Sequence, residues 1–241
     1  MKSESILKVL TDSGTGSRRK MADAIRQGRV TVNGVLVEDF RHPVNRDTDH
    51  ILLDGKPVAL TEKRAIYLML NKPVGILSTT GDERGRRTVT DLLPEKYRIP
   101  GVYPVGRLDR DSTGLLLLTN DGELAYRLTH PRFENEKEYY IHINGKLNPD
   151  EKKQLERGIK LEDGRTSPAS VREVTSSPPF NYGITIHEGK KRQVRRMLAY
   201  LGYRILALKR VRMANLTLGT LKEGKIRELS RKEVRGLMAP R

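Results

Sequence analysis

One stretch of this chain constrains its folding more than any other: Gly106-Arg107-Leu108-Asp109-Arg110-Asp111-Ser112-Thr113-Gly114-Leu115-Leu116-Leu117-Leu118-Thr119-Asn120-Asp121-Gly122. Four consecutive leucines have no polar face. The segment must therefore be covered on every side, as a fully buried strand or as the start of a buried helix. Its polar ends, and a length far below the ~18 residues of a membrane span, keep it out of a bilayer. Asn120-Asp121-Gly122 is the turn signal that closes it. At the other end Asp109 sits between Arg107 and Arg110, at the edge of the apolar run. A carboxylate at the rim of a core, with cations beside it to keep it ionised, suits a catalytic carboxylate. The competing reading is an Asp that caps a helix or pairs with an Arg in a turn.

The 241 residues suffice for one large domain, or for a small and a medium one. A mean hydropathy of −0.59 marks a globular chain on the polar side. The lack of cysteine excludes disulfides and thiolate metal sites. His42, His50, His130, His142 and His187 are scattered without ligand spacing, so no metal is expected. No apolar leader follows the first Met, and a cytoplasmic protein is the simplest expectation. The net charge of +16 points to a polyanionic partner, most often nucleic acid. Residues 1–60 carry ten Lys/Arg against eight Asp/Glu, whereas residues 189–241 carry sixteen against Glu223, Glu228 and Glu233, a net of +13. Without an aromatic amphipathic helix or a lipidation motif, a membrane surface is the weaker partner.

The first 60 residues read as two short helices and then hairpins. Ile6, Leu7 and Leu10 mark one helix. Ser17 is placed to cap a second over residues 18–27, with Met21, Ala24 and Ile25 on one face and Gly28 as its stop. Asn33-Gly34, between Val30-Thr31-Val32 and Val35-Leu36-Val37, is the strongest short-range hairpin signal. Residues 61–64 read as a charged linker, and residues 65–241 as a second domain. There an apolar β-rich run over 65–70, broken by Asn71-Lys72-Pro73, precedes interleaved strands and helices with no regular βαβ period. That pattern predicts an α+β fold. Helices are expected over 123–128, 149–157 and 192–201, and strands over 138–143 and 182–186.

Two further groups of residues could carry chemistry. Tyr139, in Glu136-Lys137-Glu138-Tyr139-Tyr140-Ile141, reads on its own as cross-strand packing, with Tyr140 on the opposite face. Glu188-Gly189-Lys190-Lys191-Arg192-Gln193-Val194-Arg195-Arg196-Met197 reads on its own as a solvated basic helix start. Phosphate-loop, dinucleotide-fold, zinc-protease and nucleophile-elbow signatures are absent from the sequence. Glu138, Glu156 and Glu162 show no spacing that would pair them with Asp109 as in a glycosidase.

These motifs, in this order, resemble the pseudouridine synthases, in particular the ribosomal RNA branch that includes the small-subunit and B-type large-subunit enzymes. Lys72-Pro73-Val74-Gly75 matches that family's first motif, the Asp109 segment its catalytic signature, Lys137-x-Tyr139 its second motif and Gln193-Val194-Arg195-Arg196-Met197 its third. Residues 206–213 also fit, with Ala214 where glycine is usual. The first 60 residues resemble an S4-type RNA-binding domain, whose helix from Ser17-Arg18-Arg19 lies against RNA.

The resemblance implies a small S4-type head followed by a catalytic domain with a mixed, mainly antiparallel sheet flanked by helices. It implies a cofactor-free and metal-free isomerase that turns a uridine of ribosomal RNA, most readily large-subunit RNA, into pseudouridine. Asp109 would be the essential carboxylate, Tyr139 the stacking platform for the flipped base, and Arg195 the partner of Asp109. Arg107 would lie near the place the base vacates. Ser17, Arg18, Arg19, Lys72, Arg192 and Arg196 would contact RNA. The partner would be ribosomal RNA or a pre-ribosomal particle, the chain a monomer. Competing readings are a small-subunit RNA target, a non-catalytic ribosome-assembly factor, and a glycosidase that releases free uracil.

Overall fold

The computed structural model describes residues 3–60 and 64–239. The chain divides into two compact units, one comprising residues up to Ala65 with Ile99–Gly101, the other Ile66–Arg98 with the residues from Val102 onward. Of the expected linker, 61–63 lie outside the described residues.

In the first unit, β1 (Glu4–Ser5) leads directly into α1 (Ile6–Asp12), and α2 (Arg18–Arg26) follows. Ile6, Leu7, Val9 and Leu10 of α1 are buried with Met21, Ala24 and Ile25 of α2. Ser17 caps α2 as its position predicts, accepting a hydrogen bond from the Lys20 amide at 3.3 Å. The strands β2 (Val30–Val32), β3 (Val35–Leu36), β4 (Pro43–Val44), β5 (Ile51–Leu53) and β6 (Lys56–Pro57) follow. Four of them form a sheet in the order β3-β2-β5-β6, and β4 pairs with β1. The β2–β3 hairpin turns on Asn33 and Gly34 at φ 51° and 80°, the left-handed pair that a two-residue turn demands.

The second unit is built on one nine-stranded sheet. Its strands are β7 (Tyr67–Lys72), β8 (Tyr103–Val105), β9 (Thr113–Thr119), β10 (Lys137–Ile143), β13 (Ser170–Glu173), β14 (Tyr182–Ile186), β15 (Ile205–Met213), β16 (Leu216–Thr217) and β17 (Ile226–Glu228), with β11 (Lys160–Leu161) and β12 (Gly164–Arg165) forming a separate hairpin. The helices are α3 (Gly122–Thr129), α4 (Pro149–Arg157), α5 (Gln193–Tyr200) and α6 (Arg231–Met238). The sheet order is β13-β14-β10-β15-β9-β7-β17, with β8 added to β9 and β16 to β15. All pairings are antiparallel except that of β9 with β15.

The leucine run is β9, at the centre of this sheet. Along one edge it pairs with β7, from Tyr67↔Thr119 to Lys72↔Gly114. Its other edge is shared by β8 at the C-terminal end and β15 at the N-terminal end. Both faces are covered. Leu115 and Leu117 pack with Leu124, Ala125 and Leu128 of α3 and Leu237 of α6. Leu116 and Leu118 lie on the opposite face, in register with the equally buried Leu70 and Leu68. Each such leucine contributes about 2 kcal/mol of transfer free energy. The turn signal that closes the run also starts α3: the Asp121 carboxylate accepts from the amides of Glu123 and Leu124.

Several element ends differ from the sequence reading by a residue, and at two places the cause is visible. β7 does not stop at Asn71 but runs through Lys72, because both polar side chains find internal partners; Asn71 Nδ2 donates to the Leu221 carbonyl at 2.7 Å. The helix expected from Arg192 starts at Gln193, since Arg192 holds φ 50° in the left-handed region. Ala214, at the turn between β15 and β16, holds φ 51°, a conformation that glycine adopts without strain.

Candidate active site

Asp109 lies on the loop between β8 and β9, and that loop is held from beneath. The Leu108 amide donates to Ser78 Oγ at 3.1 Å, and Ser78 Oγ donates back to the Leu108 carbonyl at 2.9 Å. The Ser112 amide closes a turn on the Asp109 carbonyl at 3.1 Å, and the Gly75 amide reaches the Arg110 carbonyl at 2.8 Å. Lys72 provides the principal clamp. Its Nζ donates to the carbonyls of Ser112 at 2.8 Å, Pro73 at 2.9 Å and Arg110 at 3.5 Å. Lys72, expected to contact RNA, is fully buried here, with its ammonium donating to backbone oxygens. Desolvation pushes its pKa down to about 8, against the opposing charges of Asp111, Asp109 and Glu223.

The start of α5 faces this loop. Gln193 is buried and anchors it, accepting from the Lys190 amide at 3.1 Å and donating to Glu188 at 2.5 Å. Arg192 and Arg195 thereby meet two carboxylates rather than one. Arg192 makes a two-pronged pair with Asp111 at 3.2 and 3.1 Å and reaches Asp109 at 3.4 Å. Arg195 Nη2 lies 3.3 Å from the Asp111 carboxylate and donates to the Asp111 carbonyl at 3.1 Å and Ser112 Oγ at 3.3 Å. Its Nε, buried without a hydrogen-bond partner, lies 3.8 Å from Asp109.

The sequence reading thus brings Arg195 to Asp109, but as an ion pair without a hydrogen bond. Arg192 and Arg196, expected to face phosphate, both have carboxylate partners in the fold. Arg196 is held bidentately by Asp163 at 2.8 and 2.9 Å. Asp111 had no role in the sequence reading. Burial raises the pKa of its carboxyl, yet the Arg192 hydrogen bonds and the charges of Arg195 and Arg192 outweigh that and hold it below the ordinary Asp value.

Tyr139 is buried on β10, just past a bulge in the β10–β15 pairing. It stands opposite Arg210 of β15, which in turn stands opposite Gly114 of β9. Two strand spacings, about 10 Å, therefore separate the Tyr139 backbone from the strand that carries the Asp109 loop. The crossing is tight: at Gly114, φ 103°, an added Cβ would lie 2.2 Å from the Arg210 carbonyl oxygen. Beside Tyr139, burial and the charge of Arg210 push the Lys137 ammonium down to about 8. Tyr140 points to the other face, 6.1 Å from the Phe180 ring and under Arg172. Glu138 is tied to Arg172 at 2.7 Å and to Arg212 at 3.2 Å.

The remaining candidates are exposed. Arg107 has no hydrogen bond or ion pair among the described residues, and neither do the side chains of Arg18 and Arg19. No group of three or more His, Asp or Glu among the described residues is arranged to hold a metal ion. No described helix is long and apolar enough to cross a membrane.

Comparison with known proteins adds a second line of observation. The RNA pseudouridylate synthase family model matches residues 66–200, and the S4 domain model matches residues 5–51. The chain is 40% identical to ribosomal large subunit pseudouridine synthase B of Bacillus subtilis (strain 168), covering 98% of this chain and 96% of that one. It is 42% identical to an uncharacterized RNA pseudouridine synthase of Aquifex aeolicus (strain VF5), covering 95% and 91%. A crystal structure of a pseudouridylate synthase superposes with a TM-score of 0.69 at 30% identity, covering 98% of this chain and all of that one.

Proposed function

Because the chain belongs to the RNA pseudouridylate synthase family, we propose that it isomerises a uridine of large-subunit ribosomal RNA, with Asp109 as the catalytic carboxylate. The observation that carries the assignment is the setting of Asp109: a carboxylate on a loop clamped by buried Lys72, facing the guanidiniums of Arg192 and Arg195.

The reaction breaks the uridine N1–C1′ bond and forms a C5–C1′ bond. The proton displaced from C5 goes to solvent, and N1 acquires one in return, so the change is redox-neutral and needs no co-substrate. Asp109 starts it, either by attacking C1′ or by taking a ribose proton; both routes require an ionised carboxylate close to the sugar. The loop clamp fixes the backbone that carries this carboxylate before substrate arrives, and the guanidiniums face it without a hydrogen bond. Tyr139 offers a ring on which the extruded base stacks and stays while it turns over. Arg107 lies two residues before Asp109 with its charge free to enter the space the base leaves.

The head, residues 1–60 on this reading, presents Arg18 and Arg19 to phosphates, with Ser17 holding the helix start in shape. The protein acts as a monomer in the cytoplasm, on ribosomal RNA or an assembling subunit.

The test uses unmodified large-subunit RNA carrying tritium at uridine C5. Purified protein should release tritium to solvent and leave one or a few carbodiimide-reactive pseudouridines, and Asp109→Asn should lower the rate by about 10³-fold or more. Free uracil in place of pseudouridine would indicate a glycosidase. No modification by the wild type would leave an assembly factor. Modification surviving in Asp109→Asn would remove Asp109 from the chemistry.

A further inference from the structure

We infer that Asp111 is a positioning residue for the reaction: it takes the closer share of Arg192 and Arg195, so that Asp109 faces both cations without being captured by either. The inference rests on the reading of Asp109 as the catalytic carboxylate.

Four groups form the cluster, two carboxylates and two guanidiniums. Asp111 lies nearer than Asp109 to both cations. Arg192 approaches Asp111 at 3.1 Å through a pair of hydrogen bonds, and Asp109 only at 3.4 Å. Arg195 approaches the Asp111 carboxylate at 3.3 Å and Asp109 at 3.8 Å, with its Nη2 further fixed on the Asp111 carbonyl and the Ser112 hydroxyl. A bidentate guanidinium pair locks the orientation of a carboxylate and engages the lone pairs it would use on substrate. Asp109 escapes that lock because Asp111 occupies the fork.

The other charges around the pair are Lys72, beneath the loop, and Glu223, which acts on Lys72; Arg107 and Arg110 lie on the loop itself. None of them fills the place of Asp111 opposite Arg192. The pairing adds little to fold stability, since Asp111 and Arg192 are 49% and 43% exposed and water screens such pairs. Its consequence falls on geometry. Without the Asp111 charge, Arg192 and Arg195 have one carboxylate left between them, and they close on it.

Asp111→Asn is the decisive variant, read under single-turnover conditions on the tritiated RNA. The expected result is a rate lower by about tenfold at saturating enzyme, with unchanged or tighter RNA binding. The melting temperature should hardly move. Asp111→Glu should recover most of the rate. In an Arg192→Gln background Asp111→Asn should cost far less than it does alone, the signature of a coupled pair.

An unchanged rate in Asp111→Asn, with Asp109→Asn inactive, overturns this inference and leaves the assignment of Asp109 standing. A rate loss that Asp111→Glu does not recover, or that is undiminished in the Arg192→Gln background, also overturns it. Turnover by Asp109→Asn instead removes the reading on which it rests.

Discussion

Two helix starts in this molecule look alike in sequence and behave in opposite ways. The head begins α2 with Ser17-Arg18-Arg19-Lys20; the catalytic unit begins α5 with Arg192-Gln193-Val194-Arg195-Arg196. In the first, the cations are exposed and form no ion pair among the described residues. In the second, all three arginines have carboxylate partners: Asp109 and Asp111 for Arg192 and Arg195, and Asp163 for Arg196. The contrast runs against the charge count, since the head is nearly balanced while residues 189–241 carry a net of +13. Arg212 and Arg227 continue the pattern, paired with Glu136 and Glu233. Net charge along a sequence records where cations are made, not which of them the fold pairs with carboxylates.

The comparison breaks most sharply at Arg195. If α5 uses its charge on the carboxylate, Arg195→Gln should lower the single-turnover rate by about 10²-fold, the scale on which removing one charged stabilising contact acts, with RNA affinity changed little. A comparable loss of affinity in filter binding would show that Arg195 serves phosphate instead.

The reverse split is expected for the head. Replacing Arg18, Arg19 and Lys20 by Ala should weaken binding by about tenfold at moderate salt and reduce the salt dependence of log K by about 2–3. The rate at saturating enzyme should stay the same. An unaltered salt slope would sink the idea that α2 is an RNA-facing surface.

The smallest effect concerns Lys72, a cation turned wholly inward. Its pKa is lowered in the fold to about 8 from an ordinary 10.5, so between those values the unfolded chain binds the extra proton. Stability therefore rises with pH across that window: the buried charge destabilises the fold below about pH 8 and is relieved above it. Lys137 titrates alongside it. The quantity to measure is thus the difference between wild type and Lys72→Met in denaturant, which should move in favour of the wild type from pH 7.5 to pH 10. A constant difference would mean that Lys72 is solvated.

Much of this architecture can be read locally. The Asn33-Gly34 hairpin, the Ser17 cap, the central leucine strand and the two faces of Tyr139 and Tyr140 each follow from a few adjacent residues. The site is less legible because its parts meet through topology. Asp111 finds Arg192 across eighty-one positions of sequence, by way of a parallel pairing of β9 with β15 that no local pattern announces. Lys72 misleads because a lysine at a strand end, next to Pro73, ordinarily reaches water; only the folded loop supplies the carbonyls that draw it in. Arg192 departs from its helix because its left-handed backbone is rarely signalled by an arginine. Asp111 was hidden for a simpler reason: nothing near it in sequence marks its partners, which come from α5.

The bare backbone crossing at Gly114 and Arg210 sets a limit on how such an enzyme can diversify. Main chain rests on main chain there, and Arg210 Nε donates to the Leu115 carbonyl beside it, so the interval between the Asp109 loop and the strand that bears Tyr139 is held from within the sheet. The crossing works as a ruler built into the sheet. Side chains around the loop can change without moving that pairing, so the strand that bears Tyr139 and the Asp109 loop keep their spacing.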